Sequence, residues 1–227
     1  MSASKPSRSP VHMSGTTLDA SVFHPEEHWR VARTCGASRC WHPVEHDGED
    51  FWLLESGWGQ AHIVGLVVPA VGFTVSMRLD FSCARRGALS LVLCESMRMG
   101  RASLKGGGDN GEPFQIDAWA AVNISLEDGV ALSGPSVGAE TRWPVPVGAF
   151  AAPTTVELRR HDGKLEVLLG GVALGSCPER RPPSAAMLVL IGGHSQDDPP
   201  ALCFGAIRVT RCSLESSKAS VEEDGPD

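Results

Sequence analysis

The chain has no tyrosine, and Phe and Trp together make up only 6% of its 227 residues. An aromatic ring offers a rigid apolar face with a polar edge, and sugar-binding sites commonly stack on one. Any such role here falls to the six tryptophans or the seven phenylalanines. Long apolar runs are also missing. The longest, IVGLVVPAVGF (63–73), is too short for a membrane helix and contains Gly and Pro, so no membrane partner is expected. Positive charge is sparse: 20 Lys and Arg stand against 27 Asp and Glu, a net charge of −7. The basic residues form no stripe and no cluster with aromatics, which argues against a nucleic-acid partner. The N-terminal stretch MSASKPSRSPVHMSG has no apolar core of the kind a secretion signal carries, and a cytoplasmic location is expected on that ground. The seven cysteines (Cys35, Cys40, Cys83, Cys94, Cys177, Cys203 and Cys212) are odd in number. They read as reduced thiols rather than a disulfide framework, several of them acting as small core hydrophobes.

What is present is a repeated strand-and-turn signature. In TVELRRHDGKLEVLLGGVALG (155–175), Val156 and Leu158 alternate with Glu157 and Arg159, the period of a half-buried strand. Asp162-Gly163 fits a type I′ turn. Leu165, Val167 and Leu169 resume the alternation, and Gly170-Gly171 turns the chain again. FTVSMRLDFSC (73–83) alternates most cleanly, with Phe73, Val75, Met77, Leu79 and Phe81 on one face. HWRVAR (28–33), FWLLES (51–56), HIVGLVVP (62–69), ALSLVLCES (88–96), PFQIDA (113–118) with WAAVNISLED (119–128), MLVLIGG (187–193) and CFGAIRVTRC (203–212) complete about ten or eleven strands. The 25 glycines and 16 prolines suit the turns between them. There is no amphipathic helix and no fixed-period repeat. The pattern predicts an all-β antiparallel sandwich or jelly roll as one domain over 19–212, with disordered tails at 1–18 and 213–227, the latter acidic.

The FTVSMRLDF strand, the 155–175 unit, MLVLIGG and the closing FGAIRVTR strand, with Phe204, Ile207 and Val209 in an F-x-x-[IV]-x-[VI] spacing, resemble the concanavalin A-like lectin/glucanase superfamily. The laminin-G-like and keto-disaccharide-hydrolase-type domains share this order, and SPRY-type recognition domains share the fold. The resemblance covers about 28–212 and implies that HWRV and the last strand lie side by side. It also implies carbohydrate binding, with loops at the sheet rim as the site. Trp58-Gly59 is similar to the W-G pair of galectins, although the H-x-N-P-R strand is not present.

Five groups of residues are candidates for chemistry. Cys35, Cys40, His42 and His46 form C-x4-C-x-H-x3-H; all four residue types bind zinc, but one residue between Cys40 and His42 is a poor spacing. Asp109, Asn110 and Glu112 are oxygen donors in KGGGDNGEPF (105–114), too few alone for calcium. No cofactor is therefore expected, with calcium and zinc as the two metals these residues could take. His194, Gln196, Asp197 and Asp198 form a polar cluster in GGHSQDDPP (192–200), read as a rim loop. Glu157 and Glu166 are isolated carboxylates, not the paired set a glucanase needs. Among the tryptophans, Trp29 and Trp119 fit the core, Trp143 a loop, and Trp58, in ESGWGQAH, an exposed, mobile context rather than the core.

The ligand-binding set is accordingly Trp58, His194, Gln196, Asp197, Asp198, Asp109 and Asn110, with no catalytic residues. The leading expectation is a non-catalytic, carbohydrate-binding sandwich. A protein-interaction module of the SPRY type or an accessory subunit, and then a glycoside hydrolase, are the alternatives.

Overall fold

The computed structural model describes residues 20–32, 41–63, 72–98, 115–184, 188–196 and 202–211. They fold into two antiparallel sheets and one four-residue helix, α1 (Pro25–His28). One sheet runs β13 (Val172–Pro178), β12 (Lys164–Leu169), β11 (Thr154–His161), β6 (Phe73–Asp80), β15 (Leu202–Arg211), β4 (Glu49–Leu54) and β3 (His42–His46), with β1 (Ala20–Phe23) also paired to β15. The other runs β10 (Thr141–Trp143), β9 (Gly129–Ser133), β8 (Gln115–Ser125), β7 (Ala88–Arg98), β14 (Leu188–Ser195), β5 (Gly57–Ile63) and β2 (Trp29–Ala32). The expected all-β sandwich is therefore observed.

Alternation fills the space between the sheets. Phe73, Val75, Met77 and Leu79 of β6 are fully buried, as are Leu89, Leu91 and Leu93 of β7. Aromatic rings join the two layers: Trp29 meets Phe204 edge-on with centroids 4.8 Å apart, and Trp119 meets Phe73 at 6.2 Å. Trp41, just before β3, also lies edge-on to Phe204 at 5.1 Å. Such rings bury more apolar area than any other side chain.

The turns explain the hairpins. Asp162 and Gly163 have φ of 48° and 68°, the double positive φ of a type I′ turn. Asp47-Gly48 does the same between β3 and β4, with φ of 54° and 78°, and its Asp-Gly signal is as plain in the sequence.

Several expectations need correction. The strand placed at 62–69 is instead Gly57–Ile63, and 64–71 lie outside the described residues. HWRV does not lie beside the last strand: β2 pairs with β5 in the opposite sheet, and β1 meets β15, Phe23 opposite Ile207. The 113–128 region gives a single strand, β8, bent by a register shift where it faces Cys94. Trp143 belongs to β10 rather than a loop and lies over Gly175 of β13; a Cβ at Gly175 would run into its ring nitrogen. The expected tails fall outside the described residues.

Candidate functional site

The outer face of the seven-stranded sheet is built in rows of cross-strand partners. Gly59, Ala61 and Ile63 of β5 point into the core, so Trp58 and Gln60 point outward. On β14, Val189, Ile191 and Gly193 are inward, which leaves Gly192 and His194 outward. At the rim, Trp58 faces His194, His194 faces Ala88, and Ala88 faces Ser125. One row deeper, Gln60 faces Gly192, Gly192 faces Ser90, and Ser90 faces Asn123. Two residues taken from the sequence as ligand-binding, Trp58 and His194, are thus direct cross-strand neighbours. Neither sits in a loop. Trp58 is half-buried within β5, which corrects the exposed, mobile setting, and the rim loop assigned to 192–200 begins only at Gln196, which is exposed.

The deeper row is a strip of small and neutral residues. A Cβ added at Gly192 would meet nothing within 4 Å, so the face is open over this residue. Exposure falls along β14 from His194, which is exposed, through half-buried Gly192 to Leu190, at 1%. Beside Gly192 the Ser90 hydroxyl donates to Asn123 Oδ1 at 2.7 Å, and Asn123 Nδ2 donates to Ser133 Oγ at 2.9 Å. Gln60 is 6% exposed, and its side-chain oxygen is buried without a partner among the described residues. An unmade hydrogen bond at such a site costs about 1–3 kcal/mol. Gln60, Ser90, Asn123, Ser133 and Gly192 were not singled out from the sequence. Each is an ordinary solvent-side residue of an alternating strand until the register sets them side by side.

A cavity of about 570 Å³ lies at the same end, between the 81–87 and 144–153 connections and the turn after β8. Phe81 and Phe150 lie on its apolar side, tilted by 48° with centroids 5.4 Å apart, and Arg85, Glu127 and Asp128 line its polar side. Ser125 belongs both to this lining and to the rim row, so the cavity adjoins that row.

The remaining candidates do not converge on this site. His42 and His46 lie on one strand four residues apart, about 13 Å at strand rise, and do not reach a common ion. Their partners are Glu55, at 3.6 Å, and Asp80, at 2.5 Å. Burial pushes the Asp80 carboxyl up, but hydrogen bonds from the Ser82 side chain and backbone and from His46 outweigh it and hold it below the usual range. Glu157 and Glu166 are on the opposite sheet and share Arg159, at 3.0 and 3.9 Å. Cys35, Cys40, Asp109, Asn110, Glu112, Asp197 and Asp198 lie outside the described residues. Cys83, Cys94, Cys177 and Cys203 are free thiols, and burial pushes Cys94 and Cys203 up to about 12. No described helix is long and apolar enough to cross a membrane.

This arrangement is a concanavalin A-like fold, and solved structures bear that out. The carbohydrate recognition domain of Emp46p, in potassium-bound form, is 10% identical, covers 83% of this chain and 91% of its own, and has a TM-score of 0.56. The exoplasmic/lumenal domain of VIP36, in Ca2+/Man3GlcNAc-bound form, is 9% identical with coverage of 87% and 90% and a TM-score of 0.56. A legume lectin-like domain from Entamoeba histolytica is 8% identical, with coverage of 88% and 100% and a TM-score of 0.55. No protein-family model and no curated protein matches the chain.

These neighbours correct one expectation. A fold neighbour spanning most of this chain is an exoplasmic/lumenal domain, which points away from the cytoplasm, and the cytoplasmic assignment is withdrawn. Two neighbours carry a metal ion. In this chain, no three His, Cys, Asp or Glu residues come together among the described residues.

Proposed function

We propose that this protein is a non-catalytic, carbohydrate-binding β-sandwich that receives a glycan on the outer face of its seven-stranded sheet. The observation that carries this is the pairing of Trp58 with His194 at the rim of this face, beside the open space over Gly192. A half-buried indole beside a polar wall offers a sugar both a ring to stack on and partners for its hydroxyls. His194 and Gln196 would supply further hydrogen bonds there, and Asp197, Asp198, Asp109 and Asn110 stay proposed ligand contacts on the sequence reading alone. Support comes also from the neighbours, two of which are carbohydrate recognition domains by name or by bound Man3GlcNAc. Glu157 and Glu166 are both held by Arg159 on the other sheet, which suits a scaffold role. The large exposed apolar residues, Val22, Val147 and Val172, sit on separate elements and form no platform for a protein partner among the described residues.

A glycan array tests the reading. The wild-type protein is expected to bind at least one oligosaccharide, and Trp58→Ala to weaken that binding about tenfold or more, consistent with the ~1.4 kcal/mol that a tenfold change represents. The melting temperature should change by only a few degrees. Silence on the array, together with capture of a specific protein, would instead favour the interaction-module alternative.

A further inference from the structure

We infer that this protein pairs with a second copy of itself through β13, an edge of the eight-stranded sheet. The inference does not depend on the carbohydrate reading. β13 (Val172–Pro178) is bonded to β12 along one side, and among the described residues no strand lies on its other side. An edge strand presents a row of unpaired N–H and C=O groups, and proteins blunt such edges with short length, charge or proline. The other described edges carry these features. β1 and β2 have four residues each, and β10 has three with Arg142 at its centre. β3, HPVEH, holds Pro43, Glu45 and two histidines. β13 is different. It has seven residues, VALGSCP, none of them charged, and its proline comes last. Val172 is 67% exposed, and Ala173 and Ser176 are exposed as well.

A second copy is the occupant this strand fits. A strand paired antiparallel with its own copy is related to it by a two-fold axis, so the contact is self-complementary. Centred on Gly175, the middle residue, the pairing sets no charged side chain opposite another. The same operation on β10 would set Arg142 against its own copy, and like charges directly opposite destabilise a strand pair. Charges near β13 are already placed. Lys164 and Glu166 lie one strand back, opposite Pro178 and Ser176, and Glu179, next after the strand, is held by Arg160 at 2.9 Å. The contact is made by backbone, so it needs no apolar platform. Seven residues extend roughly 23 Å at strand rise. A single strand pair of that length is at the small end of interfaces, which gives a weak, concentration-dependent dimer. The axis passes through the joined sheet, so both seven-stranded sheets lie on one side of it. On the carbohydrate reading, that lets two glycan faces act together.

Sedimentation velocity on the full-length protein tests this, from about 1 to about 500 µM, the range in which a weak pair forms. The wild-type mass should rise with concentration from one chain toward two. Val172→Lys combined with Ser176→Lys puts charge on two exposed positions of the strand and moves the net charge from −7 toward zero. General repulsion between copies therefore falls, yet this variant should stay a single chain throughout and melt within a few degrees of the wild type. Glu45→Lys, on β3 at the other end of the sheet, should dimerise as the wild type does. Hydrogen exchange gives a second readout that needs no substitution: amides of 172–178 should slow at high concentration, and those of β3 should not. A wild type that remains one chain at about 500 µM overturns the inference. A double variant that dimerises like the wild type overturns it too, as does protection gained at β1 or β3 instead of β13. Should the double variant melt far below the wild type, hydrogen exchange alone decides. A monomer that binds glycans would sink the dimer and leave the carbohydrate reading standing.

Discussion

The two sheets present opposite kinds of outer face. On the eight-stranded sheet the solvent side is held by charge. Arg78 pairs with Glu49 at 3.0 Å, Arg159 with Glu157 at 3.0 Å, and His46 with Asp80 at 2.5 Å. On the seven-stranded sheet the corresponding rows carry Gly192, Ser90, Asn123 and Gln60, small or neutral groups around open space. A face whose polar groups satisfy one another has little left to offer a ligand. A face with an amide oxygen unpartnered among the described residues and spare lone pairs does. The proposed glycan site rests on that difference, although both faces are made by the same alternation.

The sharpest way to break this comparison is through the charged sheet. Near the 162–163 turn, Arg160 of β11 donates to Glu179 at 2.9 Å, and both side chains are largely buried, at 15% and 6% exposure. Removing Glu179 takes a close counter-charge from a largely buried guanidinium. Glu179→Ala is expected to cost about 3 kcal/mol, the lower end of the cost of breaking a buried pair. Glu166→Ala breaks more exposed contacts with Arg159 and His161 and should cost less than about 1 kcal/mol. Urea unfolding at pH 7 measures both. Equal costs would show that the ion pairs of this sheet do not divide by burial.

The next effect separates two adjacent glycines. Gly193 points into the core, and a Cβ there would lie 2.7 and 2.8 Å from carbons of the Trp41 ring. Gly193→Ala must displace a packed indole and should destabilise by about 1–3 kcal/mol. Gly192→Ala meets nothing and, by restricting the unfolded chain, should be neutral or stabilising by up to about 1 kcal/mol. Thermal melts of the two variants are the check. Similar melting temperatures would mean that the strand does not distinguish its two faces as described.

That glycine pair also shows how much was legible in the sequence. Alternation in FTVSMRLDF and the Asp-Gly turn at 162–163 gave the sandwich, because strand period and type I′ turns are local properties. Trp58 and His194 were recognisable as polar or aromatic residues beside glycines, but 136 residues separate them, and only the β5–β14 register makes them partners. The same holds for Gln60, Ser90 and Asn123. ESGWGQAH reads as exposed and mobile because its glycines look like punctuation. Gly59 in fact makes room for Trp41, whose ring nitrogen would lie 3.0 Å from a Cβ there, just as Gly193 does on the neighbouring strand. Glycine that serves packing and glycine that serves turning are identical in one dimension. The Glu157–Arg159–Glu166 contacts were hidden for the opposite reason: carboxylates near arginines in sequence carry no sign of which strand they face.

The smallest expected effect concerns pH and again belongs to the charged sheet. Asp80 is 6% exposed, yet its carboxyl is held below its ordinary 3.8 because Ser82 donates to it from backbone and side chain, at 3.0 and 2.6 Å, and His46 lies 2.5 Å away. A carboxyl depressed in the folded state adds stability that is fully present above its unfolded value and is lost as pH falls through the folded one. Asp80→Asn should therefore be less stable than wild type at pH 5 to 7. The gap should shrink as the pH is lowered from about 4 toward 2.5, since protonation removes from the wild type what the substitution has already removed. Other carboxylates titrate in both proteins and cancel in the difference. Thermal melts at pH 7, 5 and 3 provide the measurement. A gap that stays constant across this range would mean that the Ser82 and His46 contacts do not favour the ionised form of Asp80. The neutral row offers the contrast, since Gln60, Ser90 and Asn123 have no proton to lose or gain between pH 3 and 7. Substituting Ser90 with Ala should leave the pH dependence of stability unchanged.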